Sequence, residues 1–357
     1  MRILMLVNWK VEYCSSPPPD KQPPDYYIQG QPYWFFRYFK EAHQVDVADI
    51  HSFPWLEHWE KERLRFYVWQ TLRVLPRLRG YDLILSHGMQ SGVALSLLRR
   101  FFPIKAKHIV FDIGAFNSAA ESGGALRLMQ FASRSIDGII YHTSRQREYY
   151  EKYFPWLVDQ SAFIKFGTDA DLFCRQQSAP AGEEASYILC VGYARRDWET
   201  LYRAFGLLQE KQGHRVKLRL VGHPGFHAED PEVESLPVLP LPELIREIRG
   251  ALFCVLPLKS FLYSFGQMTL LQQMALGKAV VAARVPSMTD YVREGCDALL
   301  YEPGDAEDLC RRLEQLLTDE KGREEMGRRA ADSILNRWNE RHMAEEIEQY
   351  MKECMRK

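Results

Sequence analysis

The stretch Ser264 to Lys278, S-F-G-Q-M-T-L-L-Q-Q-M-A-L-G-K, constrains the fold most, because apolar runs flank it on both sides. Ahead of it, Ala251 to Leu256 is a short apolar run stopped by Pro257, the pattern of a buried parallel strand. Behind it comes Ala279-Val280-Val281-Ala282-Ala283, a second such run. Strand, loop, helix and strand in so short a space make a βαβ unit. Leu270, Leu271, Met274 and Ala275 recur at helical spacing and are expected against the sheet, with Gly277 as the helix stop. Ser264, Gly266 and Thr269 crowd the other end, where N–H groups and the helix dipole favour an anion. Gly266 lets a ligand come close to the backbone. An ordinary capped helix of an α/β domain would show the same local pattern, so the rest of the chain has to decide.

The same alternation runs from end to end. Strands are expected at Arg2–Trp9, 45–50, 82–86, 108–113, 138–141 and 162–166, with helices between them at 33–41, 58–79, 91–102 and 144–154. The pattern restarts with strands at 187–192, 216–222, 251–256, 279–283 and 298–301. Charged amphipathic helices follow from Asp305 to the end. Such alternation predicts doubly wound parallel sheets, α/β in class. The composition breaks at 176–186, rich in Ala, Ser, Glu, Gly and Pro, which reads as an interdomain linker. Ser15 to Gly30, with Pro17-Pro18-Pro19 and Pro23-Pro24, suits neither helix nor central strand and is expected as a long loop at a strand's C-terminal edge. Loops in that place tend to be functional.

With 357 residues, 46% hydrophobic and 26% charged, the chain has room for two soluble domains. Its seven scattered cysteines include no C-x-x-C pair, which argues for a reducing compartment and against a disulfide framework or zinc site. No run reaches a membrane span's length, and the first residues lack a signal peptide's cleavage region, so a cytoplasmic location is expected. Residues 1–176 carry a net +4 and residues 177–357 a net −5, too mild an asymmetry for a nucleic-acid partner. One local charge feature stands out. Between Trp59 and Gly80, six basic residues face two acids, interleaved with Phe66, Tyr67 and Trp69. A helix there with an aromatic core face is one reading; peripheral contact with anionic lipid is the other.

Five segments, in order, carry a resemblance: F-G-T-D-A-D-L-F (Phe166–Phe173), V-G-Y-A-R-R-D-W-E-T-L (Val191–Leu201), L-R-L-V-G (Leu218–Gly222), the Ser264–Val281 stretch, and Y-E-P-G-D (Tyr301–Asp305). Together they resemble the retaining, nucleotide-sugar-dependent glycosyltransferases called "glycosyl transferases group 1". That family implies a GT-B fold, two Rossmann-like domains facing a cleft. Here they would be 1–175 on the acceptor side and 187–337 for the nucleotide sugar, with a closing helix at 338–357 returning to the first domain. It also implies transfer of a sugar from a nucleotide diphosphate donor, UDP-linked, to a glycan, lipid-linked or small-molecule hydroxyl, with no metal or other cofactor.

The chain departs from the family at its two motif glutamates, where it has Ser264 and Gln272. In the family the first contacts the donor sugar and the second the ribose hydroxyls. Gln272 can still hydrogen-bond a diol, without the charge assistance of a carboxylate. The family's first Gly-Gly loop is replaced by the proline-rich stretch and Gly30-Gln31, the expected acceptor-side loop.

The resemblance places Arg195 and Arg196 beside the donor diphosphate, completed by Ser264, Phe265, Gly266, Gln267, Met268 and Thr269 at the helix end. His87 and Asp112, each at a strand end, are the catalytic candidates: His87 for a sugar or acceptor hydroxyl, Asp112 for an acceptor hydroxyl. His142, also at a strand end, matches no family ligand. Asp169-Ala170-Asp171 mimics a metal-binding D-x-D but falls in a turn of the family pattern. A nucleotide-sugar 2-epimerase would need acidic and histidine residues that Ser264 and Gln272 do not supply. A degenerate nucleotide-binding or scaffold protein is the non-enzyme alternative.

Overall fold

A computed structural model of the chain describes residues 1–64, 66–114, 121–174, 187–212, 216–223 and 230–356. The expected linker at 176–186 lies outside them. The chain divides into two compact units. The first holds Met1–Lys165, Leu262–Phe265 and Met343–Lys357; the second holds Phe166–Phe261 and Gly266–His342. Residues 166–175, read from sequence with the first domain, thus sort with the second as far as they are described.

The first unit is built on six parallel strands: β1 (Arg2–Leu6), β2 (Gln44–Ala48), β3 (Leu83–His87), β4 (Lys107–Asp112), β5 (Gly138–Tyr141) and β6 (Ser161–Phe163). They lie in the order β2-β1-β3-β4-β5-β6. Register places Met5 beside Leu85 and His87 beside Phe111. Strands buried on both faces need apolar side chains at nearly every position, which is why these runs read as continuous rather than alternating. Leu4, Leu6, Ile84 and Leu95 pack with Val74, Leu78 and Tyr81 in one cluster, and Val110, Ile139, Tyr150 and Phe154 in another.

The second unit repeats the plan with β7 (Tyr187–Val191), β8 (Lys217–Val221), β9 (Val233–Leu236), β10 (Phe253–Leu256), β11 (Val280–Ala283) and β12 (Leu299–Tyr301). Its order is β9-β8-β7-β10-β11-β12, all parallel. The strand order therefore reverses between β7 and β10, where such sheets take their ligands. The unit's two ends are stitched together. The Thr168 N–H donates to the Trp338 carbonyl, and the Glu340 N–H to the Thr168 carbonyl.

Several elements differ from expectation. The helix expected at 58–79 is broken into a helix Pro54–Trp59, a π-turn Glu60–Leu64, a helix Val68–Val74 and a 3-10 turn Leu75–Gly80. Glu60 accepts the Trp69 N–H across the break, and Pro76 cannot continue a helix. The aromatic helix expected at 33–41 is a 3-10 turn, Trp34–Tyr38. Within the proline-rich stretch, Tyr26–Ile28 pairs with Glu12–Cys14 in a small parallel ladder apart from the main sheet. Helix Gly124–Ser133 and strand β9 had no sequence expectation. From Met343 onward the closing helix, Glu340–Arg356, belongs to the first unit. There Glu348 accepts the N–H groups of Lys40 and Glu41, and the Tyr350 hydroxyl donates to the Gln160 carbonyl.

Candidate functional site

In the second unit, the loops after β7 and β10 meet at the strand-order reversal. The Asp197 N–H donates to the Pro257 carbonyl at 2.9 Å, the Lys259 N–H to the Arg195 carbonyl, and Arg196 bridges Leu258 in antiparallel fashion. Gly192 turns the chain out of β7 with φ +80°. A Cβ there would lie 2.9 Å from the Arg196 guanidinium, so the glycine makes room for that side chain.

The two arginines part company here. Arg196 is buried, and its guanidinium turns back on the main chain, donating from Nε to the Val191 carbonyl (3.1 Å) and from Nη1 to the Ala194 carbonyl (3.1 Å). Burial lowers its pKa from the usual arginine range, with Cys190 opposing. Of the pair expected beside a donor diphosphate, only Arg195 is exposed, on a left-handed backbone of φ +58°. Arg196 braces the loop that presents it. Asp197 ties the loop to the next helix by accepting from the Thr200 hydroxyl at 2.7 Å.

Gly266, at φ +85°, is the N-cap of the helix Gln267–Ala275, and no side chain caps its first turn. A Cβ on Gly266 would sit 3.0 Å from Leu258 and 3.4 Å from Met288. The first-turn amides of Gln267, Met268 and Thr269 precede the helix's own ladder, which opens with Leu270 N–H to the Gly266 carbonyl. Met268 is exposed and Thr269 half-buried, so this end is open on one side. Gln267 and Gln272 are buried on the same helix. Ser264 and Phe265, half-buried, fall in the first unit.

In the first unit the reversal lies between β1 and β3, and His87 closes β3. Its ring meets Trp9 edge-on (centroids 4.8 Å apart), Trp34 (5.3 Å) and Phe111 (5.5 Å, stacked). Both ring nitrogens are buried without a hydrogen-bond partner. Burial, helped by His142, pushes its pKa down to about 3, so the ring is neutral at physiological pH. Trp34 covers it from a left-handed backbone, φ +46°, unusual for a bulky residue. Trp9 and Tyr33 both donate to the Pro24 carbonyl, at 3.2 and 2.7 Å, which fixes the proline-rich stretch beside this cover.

Asp112 is not open as an acceptor ligand. Its Oδ1 accepts the Gly114 N–H, and its Oδ2 accepts from Gln146 and from the Tyr150 hydroxyl at 2.5 Å, all fully buried. A carboxylate at a strand end, surrounded by internal donors, clamps the loops after β4 and β5. His142 contacts the Ile164 carbonyl through Nδ1, and burial lowers its pKa to about 4. Asp169 accepts the Leu172 N–H as a helix cap. Gly30 (φ +83°) and Gln31 are exposed at the end of the proline-rich stretch.

Two further buried polar groups lie in the second unit. Gln273 is fully buried with neither amide atom bonded, and Ser287 is buried with an unbonded hydroxyl. Gln273 stands in a run of apolar helix positions, where a second glutamine beside Gln272 was the only available signal. Buried orphan groups of this kind are costly unless something binds them. Among the described residues one cluster, Glu41, His43 and Glu348, gathers metal-type ligand atoms, and Lys352 already pairs with both of its carboxylates.

Residues 185–319 match the family described as Glycosyl transferases group 1. Over 299 residues the chain is 27% identical to a D-inositol 3-phosphate glycosyltransferase of Pseudarthrobacter chlorophenolicus, covering 76% of this chain and 70% of that one. The structure is similar to an α,α-trehalose-phosphate synthase (UDP-forming) of Burkholderia xenovorans, solved with glucose-6-phosphate (TM-score 0.70, 13% identity, 98% and 100% of the two chains). It is also similar to HepE of Anabaena, solved with UDP-glucose (TM-score 0.65, 15% identity, 99% and 100%). The fold is thus that of the GT-B glycosyltransferases, and the second unit carries the match to the glycosyl transferases group 1 family.

Proposed function

We propose that the chain is a retaining glycosyltransferase that takes a sugar from a UDP-linked donor held on the second unit and passes it to a hydroxyl of a sugar-type acceptor, phosphorylated sugars and polyols included. The observation that carries this reading is the meeting of the Arg195–Asp197 and Pro257–Lys259 segments at the strand-order reversal, in the same unit as a helix N-terminus that no side chain caps. An anion is favoured at such a place, where N–H groups and the helix dipole act together. The UDP-glucose in HepE, and the phosphorylated acceptors named for the trehalose-phosphate synthase and the inositol-phosphate enzyme, support donor and acceptor class.

In the proposed reaction the bond between the anomeric carbon and the β-phosphate oxygen breaks. The acceptor oxygen bonds to the same face of the sugar, and its proton ends on the departing UDP. The amides of Gln267 to Thr269, with Arg195, hold the diphosphate as negative charge grows on it. Gln272 hydrogen-bonds the ribose. His87, neutral over the working pH range, offers a hydrogen bond to an acceptor hydroxyl rather than acting as a base. No step needs a metal. The seven free thiols suit a reducing, cytoplasmic setting.

The absence of both motif glutamates favours a second reading, a nucleotide-binding protein without transfer activity. Incubation with UDP-glucose and other UDP-sugars, reading UDP release with and without sugar phosphates, separates the two. Acceptor-dependent release supports transfer. Binding without release in any combination supports the second reading, and no binding refutes both.

A further inference from the structure

We propose that the end of helix Met89–Phe101 and the outer face of helix Gly124–Ser133 form a docking face for an anionic lipid bilayer. Phe101 and Phe102 are 72% and 58% exposed, and Phe131 is 41% exposed with its ring 6.1 Å from that of Phe101. Leu128, one turn before Phe131, is exposed as well. These exposed phenyl rings form an apolar patch that no other aromatic ring covers among the described residues.

Cations surround it. The Arg100 guanidinium lies 4.9 Å from the centre of the Phe131 ring, and Arg134 lies over the Trp156 ring at 4.1 Å. Arg100, Lys105, Arg127 and Arg134 are exposed, and none has a carboxylate partner among the described residues. The neighbouring acid, Asp137, is already held by Arg99 at 2.8 Å and Lys107 at 3.5 Å. Aromatic rings that enter the headgroup–acyl boundary, with arginine and lysine reaching lipid phosphates beside them, suit this arrangement. A second copy of the chain does not, because a two-fold contact would set four cations against four. The segment expected from sequence to meet lipid is less suited. There Trp59 is exposed, with Trp55 just ahead of the segment, but Glu62 stands beside it and Arg73 is already paired with Asp49 at 3.1 Å.

The full chain, co-sedimented with vesicles, tests this. Binding to phosphatidylcholine mixed with phosphatidylglycerol, weak binding to phosphatidylcholine alone, and decline with added salt are expected. Replacing Arg100→Ser or Lys105→Ser should lower partitioning about fivefold per charge. The double change Phe101→Ser/Phe102→Ser should lower it about tenfold or more. All three leave thermal unfolding unchanged, because these side chains are exposed. UDP titration of the same variants should be unaltered, which keeps this test separate from the donor-site proposal. Equal binding to both vesicle types overturns the proposal. So does loss of binding in Trp55→Ser/Trp59→Ser with none in the phenylalanine variant, or a lipid-free dimer that the phenylalanine change abolishes.

Discussion

The two sheets share one plan and end differently at their reversal points. In the second unit Gly192 turns the chain out of β7, and Gly266 is the N-cap of the helix that follows β10, with no side chain capping its first turn. In the first unit the same place is filled by rings, with Trp9, Trp34 and Phe111 around His87. Glycine at a strand end lets a ligand approach main-chain amides, which suits a phosphate. Aromatic rings around a neutral imidazole exclude water and offer faces and a hydrogen bond, which suits a sugar hydroxyl. One topology thus gives two different surroundings through a few residues past each strand.

Arg196→Ala gives the largest effect expected from this contrast. Removing a buried guanidinium that serves two carbonyls should cost about 1.5–3 kcal/mol of stability in chemical denaturation. Weaker UDP binding with unchanged stability would mean that Arg196 turns outward and that the loop is not braced as described.

His87→Phe should act in the opposite sense. It replaces two orphaned buried nitrogens by carbon among aromatic neighbours, and a gain of about 1–3 kcal/mol is expected. The pH profile sharpens this prediction. A histidine held near 3 in the folded state and about 6.5 unfolded binds more protons when unfolded, so it removes stability as pH falls from about 6.5 toward 3. His142 adds a slope of the same sign, and only His87's share should vanish in the variant. Lower stability of the variant at neutral pH would show that the nitrogens are engaged.

Arg195→Ala should leave the unfolding temperature where it is and weaken UDP by about 1 kcal/mol, roughly fivefold, because its charge is exposed. The smallest effect is expected at Gln272. Gln272→Ala should lose about 0.5–1.5 kcal/mol of UDP affinity. Gln272→Glu should hold or improve it, because a carboxylate makes stronger bonds to ribose hydroxyls. Identical affinities across all three proteins would remove Gln272 from the donor site.

The fold was legible because buried parallel strands write themselves as apolar runs. β5 was read to the residue, and β7 and β10 to within one or two. The helix start at Gly266 was legible as well, since the glycine and the helix behind it form one local motif. What escaped was set by distant contacts. The sequence shows two adjacent arginines, but which one is buried depends on the space that Gly192 leaves and on the Val191 and Ala194 carbonyls. Asp112 looked available until Gln146 and Tyr150, more than thirty positions away, closed on it. The helix expected at 58–79 failed because Glu60 bonds the Trp69 main chain and interrupts the periodicity. Strand β9 was invisible because V-E-S-L at a sheet edge is only half-buried and lacks an apolar run.

The central claim, that a nucleoside diphosphate sits at the β7–β10 reversal of the second unit, is tested most directly by a crystal structure of the chain with UDP. Phosphate oxygens are expected within hydrogen-bond reach of the Met268 and Thr269 amides, with Arg195 beside them and Arg196 still turned to Val191 and Ala194. UDP seated elsewhere on the chain, or none bound at saturating concentration, would contradict it.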